Sequence, residues 1–152
     1  YRGTSLRVFR LIQELVRNTA FHETTNLLAD RADWPNWQST YLPRSIVNAD
    51  NYTDNEISEA SHIYLGQYIR AIKNYPWGLT ITPDLNGDCG ISVRSLPGSV
   101  NAREIMERGG LGGGHDRAAG GTFRAEAGQT LEPEACLKKI EEWLEKNKPL
   151  II

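Results

Sequence analysis

Residues 112–120 read Gly-Gly-Gly-His-Asp-Arg-Ala-Ala-Gly, and their types and spacing suit the gripping of an anion better than any other stretch of the chain. Seven of the fourteen glycines lie between Gly109 and Gly121, a density that would destabilise a core helix or strand. Without Cβ atoms the backbone can adopt positive φ and turn successive N–H groups toward one point. That makes a nest for phosphate or carboxylate, to which a helix starting just after it would add its dipole. The expected ligand is a nucleotide or the end of a nucleic-acid strand, held by the amides of Gly112, Gly113 and Gly114 and by His115. His115 can donate to a phosphate oxygen or a base edge, or stack. Ala118, Ala119 and Gly120 have almost no side-chain volume and can pack against a sheet or lie flat beside a ligand. The run matches neither Gly-x-x-x-x-Gly-Lys-Ser/Thr nor Gly-x-Gly-x-x-Gly, so neither standard phosphate motif explains it. A flexible linker is the bland alternative, but ordered patterns flank the run on both sides.

Those flanking patterns must position the site. The apolar residues Val8, Phe9, Ile12, Leu15 and Val16 recur at helical spacing behind Thr4 and Ser5, which can cap the first amides. A short second helix is expected over residues 22–29. Trp34, Pro35, Trp37 and Pro43 then interrupt regular patterning, which places a boundary there, with a short strand expected over 45–47. Thr53 and Glu56 form a capping box, and Ile57, Ala60, Ser61, Tyr64, Leu65, Tyr68, Ile69 and Ile72 continue one helical face. Strands over 78–82 and 90–95 should pair antiparallel across the Asn86-Gly87 turn. A short helix over 100–108 should end on Gly109 in the left-handed region. A strand over 121–125 and a final helix opened by Pro133, with Cys136, Ile140, Trp143 and Leu144 buried, complete the pattern. The order indicates an α/β fold: a mixed sheet of about four to five strands flanked by helices, preceded by an N-terminal helical segment.

Composition bounds the partners. The 152 residues can bury a real core, and no apolar run reaches the roughly 18 residues of a membrane-spanning helix. A cytoplasmic location and no membrane partner are expected. Net charge is −2, so the chain should not hold long duplexes by bulk electrostatics, and contact with nucleic acid should be local. The span from Arg94 to Arg124 nevertheless carries a surplus of two positive charges, coinciding with the glycines. Cys89 and Cys136 are far apart in sequence and suggest neither a disulfide framework nor a zinc site.

Three features in this order, Ser92-Val93-Arg94-Ser95, the Gly-Gly-Gly-His run at 112–115 and Ala118-Ala119-Gly120, resemble the signature of the DHH-associated domain. That domain accompanies the DHH phosphoesterases, named for an Asp-His-His motif. The resemblance covers about the last hundred residues; Leu111 departs from it, standing where the family often extends the glycine run. Members include oligoribonucleases and nanoRNases, RecJ-like exonucleases and cyclic-dinucleotide phosphodiesterases. The resemblance implies that residues 51–152 hold substrate, that 34–50 form an interdomain linker, and that 1–33 are the last helices of a catalytic domain. It implies that Arg94, Ser95, Gly112, Gly113, Gly114, His115, Ala118, Ala119 and Gly120 contact the phosphates and terminal base of a short single-stranded nucleic acid or cyclic dinucleotide. Manganese would sit in the separate N-terminal catalytic DHH domain of the same polypeptide, with no cofactor in this chain.

Taken alone, the chain is expected to be inactive, because His115 without a metal cluster or nucleophile makes a poor active site. His22 and His62 read as ordinary helix residues. Asp116 and Arg117 fall at unspecified positions of the signature. One alternative is a separate nucleic-acid-binding module related to the C-terminal domain of alanyl-tRNA synthetases. Another is an interaction or dimerisation module using Trp34, Trp37 and Tyr41 as an exposed patch, against which the packing of a hinge by these aromatics is the favoured reading.

Overall fold

A computed structural model describes residues 3–23 and 35–152 of the chain. The first helix, α1 (Leu6–Arg17), begins where the Ser5 hydroxyl accepts from the Val8 amide. It buries Val8, Leu11, Ile12 and Leu15 but leaves Phe9 and Val16 exposed, so the apolar stripe is narrower than the spacing suggested. Strand β1 (Ala20–His22) follows directly. His22 therefore stands on a strand and not at the start of the expected second helix; residues 24–29 of that helix lie outside the described residues. Pairing with the next strand decides the local conformation here, a tertiary contact that local pattern cannot show.

Strand β2 (Trp37–Tyr41) lies where the tryptophans and prolines read as an interruption. Pro35 and Pro43 flank it without entering it, leaving a run of aromatic and β-branched residues that suits a sheet. The strand expected over 45–47 is instead part of helix α2 (Arg44–Asp50). Pro43 stands at its N-cap, and Asn51 closes it in the left-handed region at φ 53°. Helix α3 (Asp54–Ala71) starts on the predicted capping box: the Thr53 hydroxyl accepts from the Glu56 amide at 3.2 Å, and the Glu56 carboxylate accepts from the Thr53 amide at 3.0 Å.

Strands β3 (Trp77–Pro83) and β4 (Cys89–Ser95) form the predicted antiparallel hairpin. Helix α4 (Ala102–Arg108) ends on Gly109 in a right-handed conformation; the left-handed residue is Gly110, at φ 66°. Strands β5 (Gly112–His115) and β6 (Ala118–Phe123) come next, then helix α5 (Pro133–Lys146). The last strand begins earlier than the expected 121–125, because Ala118, Ala119 and Gly120 belong to it.

All six strands join one sheet in the order β1-β2-β3-β4-β6-β5, with β2 and β3 parallel and every other pair antiparallel. The mixed α/β architecture is the expected one, with six strands in place of four to five. Helices α4 and α5 cover one face, over a core that includes Trp37, Trp77, Leu79, Ile91, Val93 and Ile105. Helices α1, α2 and α3 form a second core on the other side around Leu11, Leu15, Tyr64 and Leu65. Each such apolar side chain contributes roughly 1.5–3 kcal/mol when fully buried. Trp37 and Tyr41 pack into the first core, so they do not form the exposed patch considered above. Trp34 lies outside the described residues.

Candidate ligand groove

Side chains alternate across β4: Cys89, Ile91, Val93 and Ser95 are buried toward α4 and α5, whereas Gly90, Ser92 and Arg94 face the α3 side. Cross-strand register carries that alternation outward. Ser92 stands opposite Gly120, which stands opposite Gly113; Arg94 stands opposite Ala118, which stands opposite His115. Two parallel rows, Ser92–Gly120–Gly113 and Arg94–Ala118–His115, therefore share one face. The structure gathers five of the nine sequence-predicted residues there: Arg94, Gly113, His115, Ala118 and Gly120.

The remaining four face away from it, yet Gly114 and Ala119 line the hollow over Ser92 and Gly120, Ser95 lines the one beside Arg70, and His115 lines neither. Ser95 is buried on the opposite face, where its hydroxyl donates to the Asp116 carbonyl at 3.2 Å. Ala119 belongs to the core under α4. At Gly112 a Cβ would stand 2.2 Å from the Gly120 carbonyl oxygen, and one at Gly121 would stand 2.2 Å from that of Leu111. Gly114 is similarly confined against Ala119. Much of the glycine density thus answers to the close approach of β5 and β6. Gly113 is the contrast, because a Cβ there meets nothing within 4 Å.

The converging-amide nest expected at 112–115 is not formed. Those residues are an extended edge strand, whose successive amides point to opposite edges, and no helix begins after them. Sequence density of glycine gives the same signal for a phosphate loop and for two tightly apposed strands, which is why the two were not separable. The positive charge at the site comes instead from side chains.

Of the five arginines in the surplus region, four are committed. Arg103 pairs with Asp116 at 3.0 Å, Arg108 with Glu104 at 2.5 Å and Arg124 with Asp88 at 3.7 Å. Arg117 donates to the carbonyls of Leu96 and Ile152. Asp116 and Arg117, left open by the signature, thereby clamp the β5–β6 turn; Arg103 beside Asp116 holds that carboxyl below the usual carboxylate range. Among the described residues the Arg94 side chain makes no hydrogen bond or ion pair, although the residue is only half-exposed.

Helix α3 forms the wall beside this open half of the sheet. Three hollows run along their junction, with volumes of about 280, 200 and 130 Å³. Each falls short of the ~300–1,000 Å³ usual for a small-molecule pocket. They adjoin one another, however: the first and second share Ser92 and Gly120, and the second and third share Arg94 and Ala118. The result is a groove whose floor is glycine, alanine and serine and whose wall carries His62 in the middle and Arg70 at one end. His62 is on α3 as predicted, but exposed over the groove. His62 and Arg70 were not singled out as site residues, since only the crossover packing of α3 brings them beside β4. A flat, unobstructed floor with one uncommitted guanidinium can accept a planar group and an attached anion.

Two further features lie outside the groove. Cys89 and Cys136 are both free and buried, and meet side by side in the core, with the Cys89 thiol pushed up by its hydrogen bond to Cys136 and by burial. His22 stacks on Trp37 at 4.0 Å and bonds Ser39 at 3.0 Å, and Ser39 donates to Glu141 at 3.0 Å, tying β1 and β2 to α5.

Fold and groove together define an α/β domain whose sheet is packed under α4 and α5 on one face and left partly open beside α3 on the other. The family model of the DHHA1 domain matches residues 43–146, and the chain belongs to that family, the domain associated with DHH-family phosphoesterases. No curated protein matches the chain. The crystal structure of an exopolyphosphatase-related protein from Bacteroides fragilis is similar, with a TM-score of 0.66 at 22% identity, over 96% of this chain and 36% of that one. The structure of an uncharacterized protein from Helicobacter pylori G27 aligns with a TM-score of 0.39 at 12% identity, over 93% of this chain and 31% of that one. The chain thus spans about a third of the length of these solved structures. Among the described residues no helix is long and apolar enough to cross a membrane, and no group of three or more His, Cys, Asp or Glu side chains could hold a metal ion.

Proposed function

We propose that this chain is the substrate-holding part of a DHH-family phosphodiesterase and binds the phosphate and base of a terminal nucleotide in the α3–β4–β6 groove. The observation that carries the reading is Arg94: a half-exposed guanidinium without a partner among the described residues, in one row with Ala118 and His115 and above a floor of glycines. A planar fork of N–H donors suits a phosphate, and His115 at the end of the row can reach a second oxygen or a base edge. Ser92 and Gly113, one row on, leave room for a ring to lie against the sheet. Ser95 then acts indirectly, by fixing the Asp116 carbonyl and with it the turn that carries His115.

Metal chemistry belongs, on this reading, to an N-terminal catalytic DHH domain carrying manganese. This chain by itself binds and orients. The ligand is a short single-stranded oligonucleotide or a cyclic dinucleotide, since a net charge of −2 gives long strands little phosphate neutralisation. Titration of the 152-residue chain with AMP, a 5′-phosphorylated dinucleotide and a cyclic dinucleotide, without metal, tests the reading. Saturable binding that shifts the His115 and His62 resonances and is lost in Arg94→Ala is expected. Absence of binding to all three, or binding indifferent to Arg94, overturns it.

A further inference from the structure

The groove is electrically polar along its length. At one end it is lined by Arg94 and by Arg70 from the last turn of α3. At the other it is lined by Asp54, from the first turn of α3, and by Asp84 in the β3–β4 turn. Neither carboxylate has an ion-pair partner among the described residues; Asp54 accepts from the Leu85 amide at 3.1 Å, and Asp84 from the amides of Asn86 and Asp88. Their neighbour Asp88 is neutralised by Arg124, and Arg44 directs its donors to backbone carbonyls. Between the two ends the lining holds no further Asp, Glu, Lys or Arg.

We propose that this polarity selects the ligand class: the groove admits a molecule whose charge is concentrated at one end, and Asp54 and Asp84 reject a linear polyanion. A terminal nucleotide meets the requirement, with its phosphate at Arg94 and Arg70 and an uncharged ribose and base that make no contact with the two carboxylates. Linear polyphosphate does not, because every residue of it that extends past Ser92 carries negative charge toward two carboxylates. In a solvated groove each such encounter weakens binding by about three- to tenfold at low salt, and by less as salt screens it. The inference rests on the nucleotide reading above and adds Asp54 and Asp84 to it as specificity determinants.

Asp54→Asn and Asp84→Asn remove charge while keeping the oxygen that accepts the Leu85, Asn86 and Asp88 amides, so both variants should fold. The unchanged chain, each single variant and the double variant would be titrated at low salt with AMP, tripolyphosphate and a longer linear polyphosphate. The expected result is AMP affinity unchanged within about twofold, and longer-polyphosphate affinity raised by about tenfold or more in the double variant, with the gain shrinking at high salt. If the double variant melts early, the single variants give the same reading at a smaller step. The proposal is overturned if the unchanged chain already binds polyphosphate as tightly as AMP, or if the Asn variants shift all three ligands equally or none. Failure of the underlying nucleotide reading looks different: no phosphate ligand binds, or Arg94→Ala alters no affinity, and the polarity argument then falls with it.

Discussion

On the α3 side of the sheet, neighbouring strands carry similar polar residues that meet opposite fates. Over β2 and β3 the face is sealed by α1 and α3, and nearly every polar group there is paired. Thr40 donates to the Leu15 carbonyl at 2.6 Å, Thr80 bonds Ser61 at 2.7 Å, and Gln38 accepts from Tyr64 at 3.0 Å. Over β4, β6 and β5 the same face is open, and Ser92 and Arg94 have no partner among the described residues. Burial forces polar groups to bond within the protein, whereas an open face can keep them for a ligand. The two halves thereby separate polar residues that hold the fold from polar residues left available to function.

The largest effect should come from confusing the two kinds of glycine. Gly112→Ala drives a Cβ to 2.2 Å from the Gly120 oxygen and must push β5 off β6. A loss of about 3 kcal/mol or more is expected, a fall in melting temperature of roughly 6–12 °C for a domain of this size. Gly113→Ala puts its methyl over the open groove, where nothing stands within 4 Å. Its stability should change little, by no more than ~0.5 kcal/mol, while nucleotide affinity falls. Equal melting temperatures for the two variants would erase the distinction between them.

Arg94→Ala comes next, expected to cost ligand affinity about tenfold or more, the worth of a charge-assisted hydrogen bond, with stability unchanged. Arg94→Lys should recover only part, since an ammonium lacks the planar fork. A stability loss without a binding loss would reassign Arg94 to the sealed half. Tyr64→Phe should show the reverse pattern. Burial pushes the Tyr64 hydroxyl up to about 12, and that hydroxyl joins Thr19 and Gln38 in the sealed half. Its removal should cost about 1–2 kcal/mol by denaturant unfolding and leave nucleotide affinity alone.

How much of this was legible in the sequence follows the range over which each residue is determined. The capping box at Thr53 and Glu56, the β3–β4 hairpin and the α5 stripe are local, and each stands where spacing placed it. β1, β2 and α2 were misread because long-range pairing decides them: His22 is a strand residue only because Trp37 lies opposite it. Arg94, Gly113 and Gly120 were singled out in the sequence, yet the converging amides expected around them are not formed. A run of glycines cannot say whether its amides converge or its strands press together. His62 and Arg70 enter the site only through the packing of α3, and nothing near them in sequence marks it.

The smallest effect lies at the clamp that holds the seal, and it depends on pH. Arg7 on α1 donates to Glu56 at the start of α3 at 2.7 Å, and the Thr53 amide donates to the same carboxylate at 3.0 Å. The bond from Arg7, then that from Thr53, hold the Glu56 carboxyl down at about 2. An unfolded glutamate titrates near ~4.3, so this depressed value gives stability that is fully present above that pH. The stability is lost as pH falls toward about 2. Arg7 is half-exposed, and screening keeps the contribution small. Glu56→Gln keeps an acceptor for Thr53 but loses the charge. Its melting temperature should lie slightly below that of the unchanged chain at neutral pH, and the gap should close on acidification. A gap independent of pH would mean that the Arg7–Glu56 pair does not hold α1 to α3. Nucleotide affinity at neutral pH should not differ between the two, and a difference would show that loosening the sealed half reshapes the open one.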